Sequence, residues 1–305
     1  MRDRVVAVDW SARARPARGR DSIWLAVDDG AGASTENPPT RSAAEARLWA
    51  LLDEAAGRGW STLVAIDASL GYPSGTAAAV GAVAGGGGGN GDRDRDCRTW
   101  VAMWEMLDAL IEDAPDNRNN RFEVAAELNA RIATSTGQPG PFWGCPATAR
   151  HATLTSTKPP IVGLPEWRTV EAALRATGRR PSSSWQLLGA GAVGSQSLLA
   201  IPVMQRLRCA RAGVGVWPFE PTDDGPGTTT IVEMWPSLLT PSPAAVRDEG
   251  QVIAAASFLR SAPDVGLWSD VPAAAVDEEG WIVGVPRGAS CHGEVAARLI
   301  ESSGG

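Results

Sequence analysis

The sequence predicts an α/β protein whose strands deliver acidic side chains to one edge of a sheet. Short apolar runs at residues 5–9, 22–27, 62–67 and 228–233 stand between longer stretches of helical periodicity. Three of these runs end alike, as Val-Ala-Val-Asp9-Trp-Ser, Val-Ala-Ile-Asp67-Ala-Ser and Thr-Ile-Val-Glu233-Met-Trp-Pro-Ser. Parallel strands of an open α/β sheet bring their carboxyl ends to one edge, where ligands bind, so the three acids are expected to converge.

Taken in order, the run 5–9 and the run 22–27 are joined by the basic, Pro-containing stretch 12–20 and form neighbouring strands of a long hairpin. Ala46, Leu48, Leu51, Leu52 and Ala55 follow helical spacing over residues 42–57, with Ser42 as N-cap, Glu45 three residues on, and Gly57 or Gly59 as terminator. The strand 62–67 leads into the turn residues Gly71, Pro73 and Gly75. A nearly pure glycine tract and the alternating Asp92-Arg-Asp-Arg-Asp96 make residues 84–96 a flexible surface loop, since they bury too little to offset ordering entropy. Those aspartates lack the glycine and terminal glutamate of a calcium loop. Helices are expected at 100–111, at 122–132 with Asn119 and Asn120 as cap candidates, at 166–177, and at 195–211 despite Pro202. Residues 137–165 are irregular. After the strand 228–233 comes a helix over 246–259 with Asp248 and Glu249 in its first turns, then a strand-like run at 280–285.

With 305 residues the chain can form one large domain with an insertion or two modest ones. Its amino terminus enters a strand directly, leaving no room for a secretion signal, and no apolar run is long enough to span a bilayer. A cytoplasmic location and no membrane partner are expected. Cys97, Cys145, Cys209 and Cys291 form no C-x-x-C pair and share no metal-ligand spacing with His151 and His292, which argues against structural zinc. The formal charge of −7 argues against a uniformly basic nucleic-acid-coating surface. Locally the sign reverses: residues 117–181 hold nine Arg or Lys against four Glu.

Converging carboxylates repel, and a divalent cation that prefers oxygen ligands relieves that repulsion; Mg²⁺ or Mn²⁺ fits best. Two such ions about 4 Å apart would polarise a phosphodiester, generate hydroxide and stabilise the leaving oxygen. Asp9, Asp67 and Glu233 are the candidate metal ligands and catalytic acids, with Asp248 as a fourth. The competing reading is that each acid caps a strand where the chain meets solvent, and that Asp248 merely favours a helix dipole.

The Val-Ala-Val-Asp9-Trp-Ser segment, the Ala-Ile-Asp67-Ala-Ser-Leu-Gly-Tyr-Pro segment, the Val-Glu233-Met-Trp-Pro-Ser segment and the helix beginning Val-Arg-Asp248-Glu-Gly-Gln-Val resemble the predicted ribonuclease-H-like nucleases known as domain of unknown function 429. The long middle segment resembles an actinobacterial-looking branch. The resemblance implies a ribonuclease-H-like mixed sheet of order 3-2-1-4-5, with Asp9 on the first strand, Asp67 on the fourth and Glu233 on the fifth. It further implies a core of residues 1–75 and 228–305, a mainly helical insertion at 76–227, and a metal-dependent nuclease-like site. Where the late helix of that family often carries a further acid, this chain has Gln251.

Within the insertion, Gly189-Ala-Gly191-Ala-Val-Gly194 matches the dinucleotide-binding G-x-G-x-x-G, preceded by the short strand-like 185–188. It lacks a surrounding βαβ unit. A second reading makes it a glycine-permitted loop packed on a helix. A third uses its N–H groups, with Arg118, Arg121 or Lys158, to hold a substrate phosphate beside the acids, and lets Trp143 and Trp185 stack on a base. The expected function is thus a divalent-metal-dependent phosphodiesterase or nuclease-like hydrolase acting on nucleic acid or a phosphate-containing small molecule. The alternatives are a nucleotide- or dinucleotide-dependent enzyme using the glycine loop, and a ribonuclease-H-like binding protein without turnover. About 160 residues separate Asp67 from Glu233, far more than a parallel crossover needs, and part of them is expected to cover the site.

Overall fold

A computed structural model describes residues 2–82, 99–160, 162–189, 191–221, 224–262, 268 and 271–286. The predicted glycine-rich loop, Cys97, Cys291 and His292 lie outside the described residues. The chain opens with β1 (Arg4–Asp9), turns antiparallel into β2 (Trp24–Asp28) and β3 (Ala33–Glu36), and after α1 (Arg41–Gly57) returns as β4 (Thr62–Asp67), parallel to β1. Among the described residues five α-helices follow: α2 (Thr76–Val80), α3 (Thr99–Leu110), α4 (Arg121–Thr136), α5 (Thr169–Ala176) and α6 (Gly194–Cys209). Then come β5 (Val214–Val216), β6 (Thr229–Glu233), α7 (Arg247–Ser261) and a π-helical turn at Ala275–Glu279.

The result is an α/β protein with a mixed six-stranded sheet of order β3-β2-β1-β4-β6-β5. This corrects the expected order 3-2-1-4-5, and it moves Glu233 from the fifth strand to the sixth. The extra strand is Val-Gly-Val at 214–216, which pairs parallel to the outer side of β6. Three residues containing a glycine carry no legible alternation, so the sequence hides it. The run at 280–285 forms a single parallel bridge, Ile282 to Glu233, instead of a strand. The cap of α1 also differs: Thr40 Oγ1 accepts from Ala43 N at 3.1 Å, and Ser42 sits inside the first turn.

Strand alternation divides the core into two layers. Val6, Val8, Val64, Ile66 and Ile231 face the apolar sides of α1, α3, α4 and α6. Val5, Ala7, Leu63, Ala65 and Val232 face α7, through Val252, Ala255, Ala256 and Leu259, and also Trp281. Elements of segment 76–227 therefore share one core with the sheet: Met103 and Leu107 of α3 and Leu198 and Met204 of α6 pack in the same cluster as β1 and β4. α6 runs unbroken through the buried Pro202. Among the described residues no helix is long and apolar enough to cross a membrane.

Candidate active site

β1 and β4 run parallel with Asp9 directly opposite Asp67. Paired residues on adjacent parallel strands project to the same face, about 4.8 Å apart at the backbone, so the two carboxylates are neighbours. Val8 and Ile66 alternate into the α1 layer, which turns Asp9 and Asp67 towards the α7 side. Both are partly exposed at an open pocket of about 1130 Å³. Burial first, and then the charges of Asp67, Asp248 and Asp21, hold the Asp9 carboxyl well above its ordinary range. Burial and the charge of Glu233 push Asp67 up to about 7. Each acid is thus costly to ionise as it stands.

Glu233 lines the same pocket, near enough for its charge to act on Asp67. Its backbone partner is Ile66, not Asp67, so at the end of β6 it is one residue out of register with the pair. There Arg168, fully buried at the start of α5, clamps it: Nη2 donates to Glu233 Oε1 at 2.6 Å and Nη1 to Oε2 at 2.7 Å. The same guanidinium donates to Glu171 Oε1 at 2.6 and 2.8 Å and to the Glu279 carbonyl at 2.8 Å, and Leu70 N donates to Glu233 Oε2 at 3.0 Å. Burial lowers the Arg168 pKa, but the charges of Glu171 and Glu233 outweigh it and hold the pKa above the usual arginine value. Glu233 is thus an ion-pair partner of Arg168, while its charge still acts on Asp67 across the shared pocket. The signal that sequence reasoning missed is Arg168-Thr-Val-Glu171, whose i, i+3 spacing forms a capping arrangement, with Glu171 Oε2 accepting from Arg168 N at 2.8 Å.

Asp248, in the first turn of α7, also lines the pocket and accepts a hydrogen bond from Asp21 N at 2.6 Å, tying α7 to the β1–β2 hairpin. Gln251 lines it one turn on. The opposite wall comes from the segment predicted to cover the site: Gly189, Gly191, Ser195, Gln196 and Arg121. Gln196 Nε2 donates to the carbonyl of Trp10, the residue after Asp9, at 2.6 Å, which fixes that wall to the acidic floor. Gly194 lies just behind. A Cβ there would come within 2.4 Å of the Ser184 carbonyl, while Gly191 adopts a φ of +72°. The glycines serve turn geometry and close packing. The run before them is no strand; Gln186 makes only an isolated bridge to Trp143, so the Rossmann context is absent.

Two predicted phosphate ligands fall elsewhere. Arg118 is exposed and paired with Asp116 at 2.7 Å, and Lys158 is paired with Glu166 at 2.5 Å; neither lines the pocket. Trp185 is 2% exposed and stacks on Tyr72 with ring centroids 5.3 Å apart, so it is a core residue and no base platform. Exposed arginines that the sequence did not single out, Arg13, Arg20, Arg180 and Arg247, surround the opening.

Among the described residues no group of three or more His, Cys, Asp or Glu side chains is gathered to hold a metal. Asp9 and Asp67 are nonetheless two hard oxygen donors side by side, and Mg²⁺ is commonly held by one or two carboxylates with waters and substrate oxygens completing its shell. The donor pair fits one such ion. Comparison with protein-family models, with curated proteins and with solved structures gives no match.

Proposed function

We propose that this chain is a ribonuclease-H-like, divalent-cation-dependent phosphodiesterase of the cytoplasm, akin to the predicted nucleases its motifs resemble, with Asp9 and Asp67 as its catalytic carboxylates. The observation that carries the reading is the in-register placement of these two acids on neighbouring parallel strands at the floor of a large pocket. The antiparallel hairpin β1–β2–β3 followed by parallel β4 and β6 supports the fold assignment. A Mg²⁺ or Mn²⁺ ion bound there would supply Lewis acidity to a phosphoryl oxygen and lower the pKa of an attacking water. Asp9 and Asp67 bind and orient on the floor, Asp248 adds negative charge from the α7 side, and the arginines at the rim draw an anionic substrate in. Glu233 holds the Arg168 network in place.

Calorimetry with Mg²⁺ and Mn²⁺, paired with hydrolysis of a bis-aryl phosphodiester and of single-stranded oligonucleotides, tests the reading. Saturable ion binding and metal-dependent turnover, both lost in Asp9→Asn, are expected. Ion binding that survives Asp9→Asn and Asp67→Asn would sink it; tight ligand binding without turnover would replace it with a binding protein of the same architecture.

A further inference from the structure

Among the described residues, three buried arginines are matched to acids. Arg4 is held by Asp29, Arg41 by Asp113 through two bonds of 2.5 and 2.7 Å, and Arg168 by Glu171 and Glu233. Arg121, 8% exposed at the first position of α4, has no carboxylate in contact. Its Nε donates to Ser195 Oγ at 2.9 Å and its Nη1 to Asn119 Oδ1 at 2.7 Å, both neutral acceptors, and its guanidinium lies over the Phe122 ring. Nη2 donates to no described residue. A buried charge without a counter-ion is costly, and burial together with the nearby charge of Arg41 lowers this pKa to about 10, still well above neutrality. Arg121 therefore lines the pocket as a buried cation without a direct ion pair, offset only at longer range by Asp113 and Glu123. Ser195 beside it, whose Oγ donates to the Leu187 carbonyl at 2.6 Å, opens the first turn of the sixteen-residue α6; Gly194 N there is taken by the Gln186 carbonyl, and the N–H groups of Ser195 and Gln196 at such an end favour an anion.

Building on the phosphodiesterase reading, we infer that Arg121, with Ser195 and the first turn of α6, seats a terminal phosphate of the substrate, so that the enzyme acts on a nucleotide or a phosphorylated chain end. The low exposure of Arg121 decides between an end and an interior stretch. A polymer backbone passing over the rim meets the exposed Arg13, Arg20, Arg180 and Arg247, whereas only a group inserted into the pocket reaches Arg121. The planar fork of arginine suits a phosphate with several free oxygens. The seat lies beside the cleavage site, because Gln196 next to Ser195 holds the backbone of Trp10 next to Asp9.

The test titrates the full chain, stripped of divalent ions, with inorganic phosphate at low ionic strength. Wild-type protein should bind phosphate saturably, Arg121→Gln should weaken it at least tenfold, and Arg118→Ala should bind it as well as wild type. With Mn²⁺ present, a dinucleotide bearing a terminal phosphate should show a KM at least tenfold below that of its unphosphorylated counterpart, a preference that Arg121→Gln removes. If Arg121→Gln does not fold, Arg121→Lys and Ser195→Ala carry the test, and both must weaken phosphate binding. Absence of saturable phosphate binding in wild type, equal binding by these variants, or turnover indifferent to a terminal phosphate overturns the inference. Phosphate binding without any metal-dependent turnover removes the hydrolase and leaves the seat standing.

Discussion

Replacing Asp67 by Asn should stabilise the metal-free protein, and by an amount that grows with pH. Asp67 is raised from 3.8 to about 7, by burial and by the charge of Glu233. Between those values the native state keeps a proton that the unfolded chain has released, so wild-type stability falls as pH rises through that window and stays low above it. At about 1.4 kcal/mol per tenfold change in proton affinity, the full displacement corresponds to about 4 kcal/mol, an upper limit because Asp9 shares the same field. Asparagine keeps the shape and loses the charge. Urea denaturation at pH 4, 6 and 8 without divalent ions measures the difference, with unchanged slopes certifying comparable end states. The variant should gain on wild type progressively from pH 4 to pH 8, and Mg²⁺ should stabilise wild type at pH 8 while leaving the variant's midpoint in place. A difference that does not change with pH, or a variant that loses ground at pH 8, would refute the claim that these strand-end acids are held together at a cost.

Arg168→Met should cost about 3–5 kcal/mol in chemical denaturation, because it leaves Glu171 and Glu233 buried without their partner; adding Glu233→Gln should recover part of the loss. Gly194→Ala should cost about 1–3 kcal/mol, since the new methyl meets the Ser184 carbonyl and the α6 turn must shift, and phosphate affinity measured by calorimetry should fall with it. Arg118→Ala should leave both the denaturation midpoint and phosphate affinity unchanged, as its ion pair with Asp116 is exposed and it lies away from the pocket.

The parts legible in the sequence are those written in local pattern. β1, β4 and β6 were readable because each is a short apolar run closed by an acid, and α1, α3, α4 and α6 because their apolar residues repeat at helical spacing. β3 and β5 were hidden by their brevity and by polar or glycine content: Ala-Ser-Thr-Glu and Val-Gly-Val gain strand character only from a neighbour's edge. The candidate site was half legible. Similar strand endings suggested convergence, yet convergence depends on register, and nothing local says that Glu233 pairs with Ile66 while Asp9 pairs with Asp67. Charge density across 117–181 pointed to the right segment and could not rank its members, because Arg118 and Arg121, three residues apart, differ in burial and not in chemistry.

Pairing, more than burial, distinguishes the buried arginines: Arg168 is fully buried within ion pairs, and Arg121 is buried without one. Glu233 and Arg168 satisfy one another in a network that also holds Glu171 and the Glu279 carbonyl, so this pair braces β6 against α5 and the π-helical turn. Asp9, Asp67 and Arg121 line the same cavity with charges of opposite sign, yet no salt bridge joins them. Had the arginine been placed against the aspartates, each would have relieved the other, as happens at Arg41 and Asp113. Instead the acids sit at the ends of β1 and β4 and the arginine beside α6, with no ion pair between them. On the proposed reading, a substrate carrying a terminal phosphate and a second phosphoryl group would engage both places at once, with Asp9 and Asp67 holding the divalent ion that would supply Lewis acidity to the second group.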